Sequence, residues 1–156
     1  MNASIGLKES ARAKVLAILD PVLADEYVLY TKTRNFHWNV VGPRFNDMHK
    51  FFEAQYETLD GHVDSVAERS RALGGRALGS LKEFLASARL KESMGRTLKD
   101  QIMLAELLRD HESLIRTLRA DVDETARLGD AGTADFLTGL LEEHEKMAWM
   151  LRSFVS

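Results

Sequence analysis

Apolar residues recur at helical spacing along almost the whole chain. In the first forty residues they fall three or four positions apart, which is typical of one face of an amphipathic helix. These positions are Val15, Ile18, Leu19, Val22, Leu23, Val28, Leu29 and Phe36. We predict a first helix from Leu7 to about Trp38, in which Pro21 marks a kink or a late start. Gly42 and Pro43 end it, because both residues break the helical period.

The same spacing predicts a second helix that begins near Arg44 and runs to Leu73. Gly74 and Gly75 follow it directly and supply a stop. The string Ser80-Leu81-Lys82-Glu83 matches a capping box, so we predict a short helix from there to about Ala88.

Two more long helices complete the chain, from about Ser93 to Arg127 and from about Thr133 to Val155. No alternation typical of strands is visible. Four long helices with one long connection between the second and third predict an all-α, ferritin-like four-helix bundle, with a short extra helix in that crossover. We expect residues 1–156 to form a single domain of this kind.

Composition narrows the chemistry. The chain has 156 residues, 45% of them hydrophobic and 29% charged, which is ordinary for a folded domain. It contains no cysteine, so thiolate metal sites and thiol catalysis are excluded and any metal must be held by histidines and carboxylates. No apolar run approaches the length of a membrane span, and we expect a cytoplasmic protein without membrane contact.

Charge is unevenly distributed around a net value of −3. Residues 69–99 carry eight basic and two acidic side chains, whereas the flanking segments are acidic. The basic segment could meet a polyanion, although a solvated surface is the common alternative.

The second helix carries a polar stripe. Six residues fall within a sector of roughly 100° on the helical wheel. They are His49, Glu53, Glu57, Asp60, Asp64 and Glu68. Like charges four residues apart destabilise an isolated helix by about 0.2–0.5 kcal/mol each, so a compensating cation is expected. The alternative is an acidic face neutralised by counterions.

Histidines near this stripe constrain a metal site. His37 ends the first helix and His49 lies early in the second, so the turn between them can bring both imidazoles together. His49 and Asp64 are 15 positions apart, or roughly 22 Å along one helix, so one ion cannot reach both within one chain. Either the histidines and the Asp64/Glu68 pair are unrelated, or they form one site across two subunits whose second helices cross antiparallel near Glu57. Such ligands suit Fe(II), and also Zn(II) or Mn(II).

The usual di-iron site inside ferritin-like bundles needs a Glu-x-x-His motif, and no histidine here has glutamate three residues before it. We therefore expect that site to be absent. His62 is expected at the surface or an interface. His111 and His144, which stand among acidic neighbours, are expected on solvated helix faces.

Two strings, Phe36-His37-Trp38-Asn39-Val40-Val41-Gly42 and Asp64-Ser65-Val66-Ala67-Glu68-Arg69, give the chain a family likeness. Together with Leu73-Gly74-Gly75 they resemble the Dps family, the mini-ferritins that protect DNA in starved bacterial cells. The likeness extends over nearly the whole chain.

This resemblance implies a hollow homo-dodecamer built from two-fold dimers, in which a ferroxidase oxidises Fe(II) and the ferric product is stored. It implies hydrogen peroxide as the preferred oxidant over dioxygen. By the family pattern His37 and His49 bind iron from one subunit, and Asp64 and Glu68 bind it from the mate. Trp38 corresponds to a tryptophan beside the centre that intercepts oxidising equivalents, or it packs at the interface.

The chain departs from the family in two places. Some members bind DNA through a Lys-rich N-terminal arm, which is missing here, so direct DNA binding would rest on residues 69–99. Asp130 and Asp135 lie where members line an iron-entry pore, and a helix cap is the alternative role for Asp130. A nucleoid-compacting DNA binder and a metal-independent helical module remain the two competing functions.

Overall fold

Five helices make up the part of the chain that the structure, a computed structural model, describes, namely residues 3–95 and 98–155. In chain order they are α1 (Glu9–Asn39), α2 (Phe45–Ala72), α3 (Leu81–Ser87), α4 (Asp100–Arg127) and α5 (Ala131–Val155). These residues include no strand. α1 packs against α2, α4 packs against α5, and α3 lies on α1 within the crossover. The four-helix bundle with a short extra helix is therefore confirmed.

The core forms where the apolar stripes of the long helices meet. Leu19 and Phe36 of α1, Phe52 of α2 and Leu114 of α4 are almost completely buried. Burying a side chain of this size stabilises the fold by about 1.5–3 kcal/mol. The acidic stripe of α2 faces outward, with Asp64 and Glu68 exposed. One face of α2 thus holds the bundle together while the other remains available for contacts outside it.

α1 is a continuous helix despite Pro21, which lies in its interior. A late start at Pro21 is therefore wrong. Proline removes the hydrogen bond to the carbonyl four residues earlier, at Ala17, which is an exposed position where water can replace the lost donor.

α4 begins at Asp100 rather than at Ser93, so the predicted start of the third long helix is also wrong. Gly95 has a φ of +60°, which no residue within a right-handed helix adopts. The Asn35 side chain donates a hydrogen bond to the Ser93 carbonyl at 3.0 Å. This contact ties the segment to α1 in a non-helical conformation.

The turn after α2 explains the Leu73-Gly74-Gly75 string. Gly74 has a φ of +81°, which ends the helix as predicted. A Cβ atom on Gly75 would lie 2.4 Å from Cδ2 of Leu16, so only glycine lets α1 approach this closely. The predicted capping box is also present: Ser80 Oγ accepts from the Glu83 amide at 3.3 Å, and Glu83 Oε2 accepts from the Ser80 amide at 3.1 Å.

None of the helices in the described ranges combines the length and apolar character needed to cross a bilayer.

Candidate metal centre

His37 and His49 lie against each other at the junction of α1 and α2. Their rings stack with centroids 3.8 Å apart. His37 Nδ1 donates to the His49 carbonyl at 2.8 Å, and His49 Nδ1 donates to the His37 carbonyl at 2.9 Å. A carbonyl oxygen can only accept, so each Nδ1 carries the hydrogen and each neutral ring keeps a lone pair on Nε2. This is how a protein fixes the tautomer of metal-binding histidines.

Aromatic side chains frame the two imidazoles. The ring of Tyr56 meets His37 edge-on at 5.1 Å, and Phe45 stacks on His49 at 5.1 Å. Beside them lie Trp38, 65% exposed, Val41, 64% exposed, and Phe45, 46% exposed. Three large apolar side chains on one short stretch of surface form a patch that a second protein surface could cover.

Asp64 and Glu68 sit one turn apart on the exposed face of α2. Across residues 3–95 and 98–155, neither carboxylate has an ion-pair partner. Because α2 is one uninterrupted helix, they lie roughly 22 Å or more from His49. The structure of one chain thus brings the two histidines together and leaves the two carboxylates apart from them.

Asp130 serves as the N-cap of α5. Its Oδ1 accepts from the Thr133 amide at 3.0 Å and from Arg69 Nη2 at 3.0 Å, and the Thr133 hydroxyl donates to Oδ2. The residue is only 4% exposed. These contacts favour the helix-cap role. Asp135 is exposed on the first turns of α5, and an iron-entry role for either aspartate stays a prediction.

Several cations of the basic segment are paired within the chain. Arg69 pairs with Asp130, and Arg89 pairs with Asp25 at 2.7 Å. Arg76 pairs with Glu83 at 2.7 Å. Arg96 lies outside the described residues, while Lys82, Lys91 and Lys99 are exposed. The net charge of the segment therefore overstates the cations that it presents to a polyanion.

A second group of ligating side chains lies inside the bundle. Glu26, His111 and His144, from α1, α4 and α5, have no exposed surface, and the His62 side chain of α2 is 13% exposed. The expectation of solvated faces for His111 and His144 is wrong, and His62 lies at the edge of the bundle interior rather than on the open surface. His144 Nε2 donates to Glu26 Oε1 at 2.6 Å, and His62 Nδ1 lies 3.6 Å from Glu26 Oε2. Nδ1 of His144 and Nδ1 of His111 share one hydrogen at 2.9 Å.

The electrostatics of this group favour an ionised glutamate. Burial alone would raise the pKa of Glu26, but the neighbouring His144 and His62 outweigh it and lower the pKa to about 2. Burial, together with His144, holds the pKa of His111 well below its ordinary value, so that ring is neutral. The carboxylate is therefore charged inside the bundle, and in the described chain its ion-pair partners are imidazoles only.

The signal that reveals these residues is the period of the helix, not the neighbouring letters. His111 follows Leu107 by four positions and precedes Leu114 by three, and these leucines are core residues. His144 stands in the same relation to Leu140 and Met147. The adjacent acidic residues occupy the opposite helix faces.

Comparisons with known proteins agree with this fold. The ferritin-like domain family matches residues 16–156. A Nostoc protein named "Uncharacterized low temperature-induced protein all0458" is 50% identical over 153 residues, covering 97% of this chain and 86% of that protein. "DNA protection during starvation protein 2" of Bacillus anthracis is 36% identical, covering 92% of this chain and 97% of its own.

A crystal structure gives the same answer. The Dps protein of Vibrio cholerae, described as a member of a broad superfamily of ferritin-like diiron-carboxylate proteins, superposes with a TM-score of 0.94. It is 29% identical and covers 100% of this chain and 98% of that one. The chain therefore belongs to the ferritin-like domain family and, within it, to the Dps family.

Proposed function

We propose that this protein is a mini-ferritin that oxidises Fe(II) at centres shared between two subunits and stores the ferric product in a hollow cage. Each centre takes His37 and His49 from one subunit and Asp64 and Glu68 from its two-fold mate. Iron is the substrate and cargo. Family membership supports iron chemistry in general, and the geometry of this chain supports the place where it occurs.

The observation that carries the proposal is the pair of reciprocal hydrogen bonds between His37 and His49. They leave both Nε2 atoms as lone-pair donors before any metal arrives. Two imidazoles alone bind Fe(II) weakly, and carboxylate oxygens complete the preferred donor set. Unpaired carboxylates are present at Asp64 and Glu68, but at the other end of α2.

A two-fold axis near Glu57 removes this separation. Antiparallel α2 helices that cross there place His49 of one copy beside Asp64 of the other, and the operation generates two equivalent centres. The apolar patch of Trp38, Val41 and Phe45 becomes buried by the same contact. Burying such a patch provides the favourable free energy for association. Assembly of these dimers into a dodecamer follows the family resemblance.

The chemistry that suits this centre is pairwise oxidation of iron. Two Fe(II) ions each give one electron to one hydrogen peroxide, and with two protons the peroxide becomes two waters. Because both electrons reach the same peroxide, no hydroxyl radical is released. Peroxide is proposed as the oxidant in preference to dioxygen.

Protection of DNA follows from this chemistry without direct binding. Relatives are named for DNA protection during starvation. In this chain, ion pairs occupy much of the basic segment, so we propose removal of Fe(II) and peroxide, in the cytoplasm, as the protective activity. A compacting interaction with DNA would be secondary.

Trp38 is proposed to intercept stray oxidising equivalents beside the centre. Its ring is exposed in one chain, and the guanidinium of Arg34 lies 5.4 Å from the ring centroid. If it acts this way, peptide mass spectrometry after iron and peroxide loading will find oxidised Trp38. In the His37→Ala/His49→Ala variant the same residue stays unmodified, because no iron is oxidised next to it.

The test is the initial rate of Fe(II) oxidation by peroxide, measured with native mass on the same samples. We expect His37→Ala/His49→Ala and Asp64→Ala/Glu68→Ala each to lose most of the rate and to retain the oligomer. Asp123→Ala, an exposed carboxylate of α4, is the matched control and keeps the wild-type rate. Wild-type kinetics in the two double variants would refute the assignment.

A further inference from the structure

The inside of the bundle holds polar groups that the iron-oxidation centre does not use. Glu26 Oε2 and His62 Nδ1 are buried and have no hydrogen-bond partner within the described chain, and the same holds for His111 Nε2. Buried polar atoms in native proteins are nearly always satisfied, so an orphaned carboxylate oxygen facing an orphaned imidazole nitrogen requires an explanation. A proton cannot provide it, because the two atoms are 3.6 Å apart.

We infer that Glu26, His62 and His144 form a second metal site, within one subunit, for a single divalent ion of the Zn(II) class. One ligand atom from each residue falls within 4.8 Å of the others. The residues come from three different helices, so a bound ion would cross-link α1, α2 and α5. The site is independent of the proposed oxidation centre and shares no residue with it.

The spacing of the donors fits a small tetrahedral ion. Ligand atoms about 2.0–2.1 Å from zinc at tetrahedral angles lie roughly 3.3 Å from each other. The present distances from the Glu26 oxygens are 2.6 Å to His144 Nε2 and 3.6 Å to His62 Nδ1. Both reach the required value by shifts of less than about 1 Å. Two imidazoles and one carboxylate leave a fourth position for water, as in zinc sites with three protein ligands.

The donor set selects the class of metal. Imidazole nitrogen suits Zn(II) and the neighbouring late divalent ions, whereas Mg(II) and Ca(II) prefer oxygen ligands only. The site lacks the second glutamate and the Glu-x-x-His spacing of a bundle di-iron centre, so it holds one ion, not two. The partly exposed edge of His62 provides a way in.

His111 acts as a positioning residue. When His144 Nε2 binds the ion, its Nδ1–H donates to Nδ1 of the neutral His111 ring, which fixes the tautomer and orientation of His144. Loss of such an outer partner lowers metal affinity about 10–100-fold. His111→Asn, which keeps a side-chain acceptor, should retain affinity that His111→Leu loses.

The experiment uses the His37→Ala/His49→Ala protein, in which the inter-subunit centre no longer competes for metal. Equilibrium dialysis against Zn(II), with metal analysis, should find one ion per chain, and a pH indicator should report proton release as His144 gives up its Nε2 hydrogen. Adding Glu26→Gln or His62→Ala should weaken binding more than about 100-fold. Glu142→Gln, an exposed carboxylate on α5, is the matched control and should bind like the parent.

Absence of tight binding in the parent, or equal binding by Glu26→Gln and the control, would overturn the inference. If the Glu26 and His62 variants fail to assemble by native mass, wild-type crystals grown with Zn(II) decide. Anomalous data collected on both sides of the zinc edge should give a peak between Glu26, His62 and His144. A map without that peak overturns the site equally.

Discussion

Asp130 separates two roles that the sequence leaves open, a helix cap and an iron-entry residue. In Asp130→Ala the first turn of α5 loses its capping acceptor, which costs about 1 kcal/mol. The pair with the partly exposed Arg69 is worth about 0.5–1 kcal/mol. The buried Thr133 hydroxyl loses its acceptor, at about 1 kcal/mol more. The total is about 2–3 kcal/mol.

For a chain of this length, 1 kcal/mol corresponds to roughly 2–4 °C in melting temperature, so we expect Asp130→Ala to melt about 5–10 °C lower. Asp130→Asn retains a capping oxygen and loses only the ion pair, so it should melt about 2–4 °C lower. Asp135→Asn, at an exposed position, should be unchanged. Circular dichroism melts at one fixed chain concentration measure all three, because melting of an oligomer depends on concentration.

The reasoning is refuted if Asp130→Ala melts like the wild type. An unchanged melting temperature combined with slower iron uptake would instead assign Asp130 to the entry route. The same uptake assay on Asp135→Asn tests the entry role of that residue without a change in stability.

Three further substitutions test the packing. Lys32→Met should destabilise the fold by about 3–5 kcal/mol in urea titrations, because it strands the buried carboxylate of Asp110; Lys32→Met/Asp110→Leu should recover most of that loss, and failure to recover would contradict the pairing. Ser80→Ala should raise hydrogen-exchange rates in α3 alone, at a cost of about 0.5–2 kcal/mol, and exchange spreading to α1 would contradict a local cap. Gly75→Ala should lower the melting temperature through its clash with Leu16, by about 1–3 kcal/mol, and a neutral result would show that α1 can shift.

Most of the helical architecture could be predicted from sequence because local signals and the apolar period agree. The stop at Gly74 and the capping box at Ser80 are short-range effects, and both are present. The start of α4 could not be predicted in the same way. The Asn35 contact with Ser93 comes from a distant part of the chain, and it overrides local helix propensity.

The two groups of metal-ligating side chains differ in the same respect. His37 and His49 are joined by a short turn, so their proximity follows from spacing. Glu26 and His144 are 118 positions apart, and only the packing of α1 against the other helices brings them together. Acidic neighbours masked the buried position of His144, whereas its spacing from the core residues Leu140 and Met147 would have revealed it.

Subunit complementation tests the shared iron centre most directly. His37→Ala/His49→Ala and Asp64→Ala/Glu68→Ala should each be inactive alone, because every centre in either homodimer lacks half of its ligands. In a mixed dimer one centre loses all four ligands and the other regains all four. Random mixing by co-expression makes half of the dimers mixed, so the initial rate of Fe(II) oxidation should return to about a quarter of the wild-type value. A mixture no more active than either parent would contradict a centre shared between subunits.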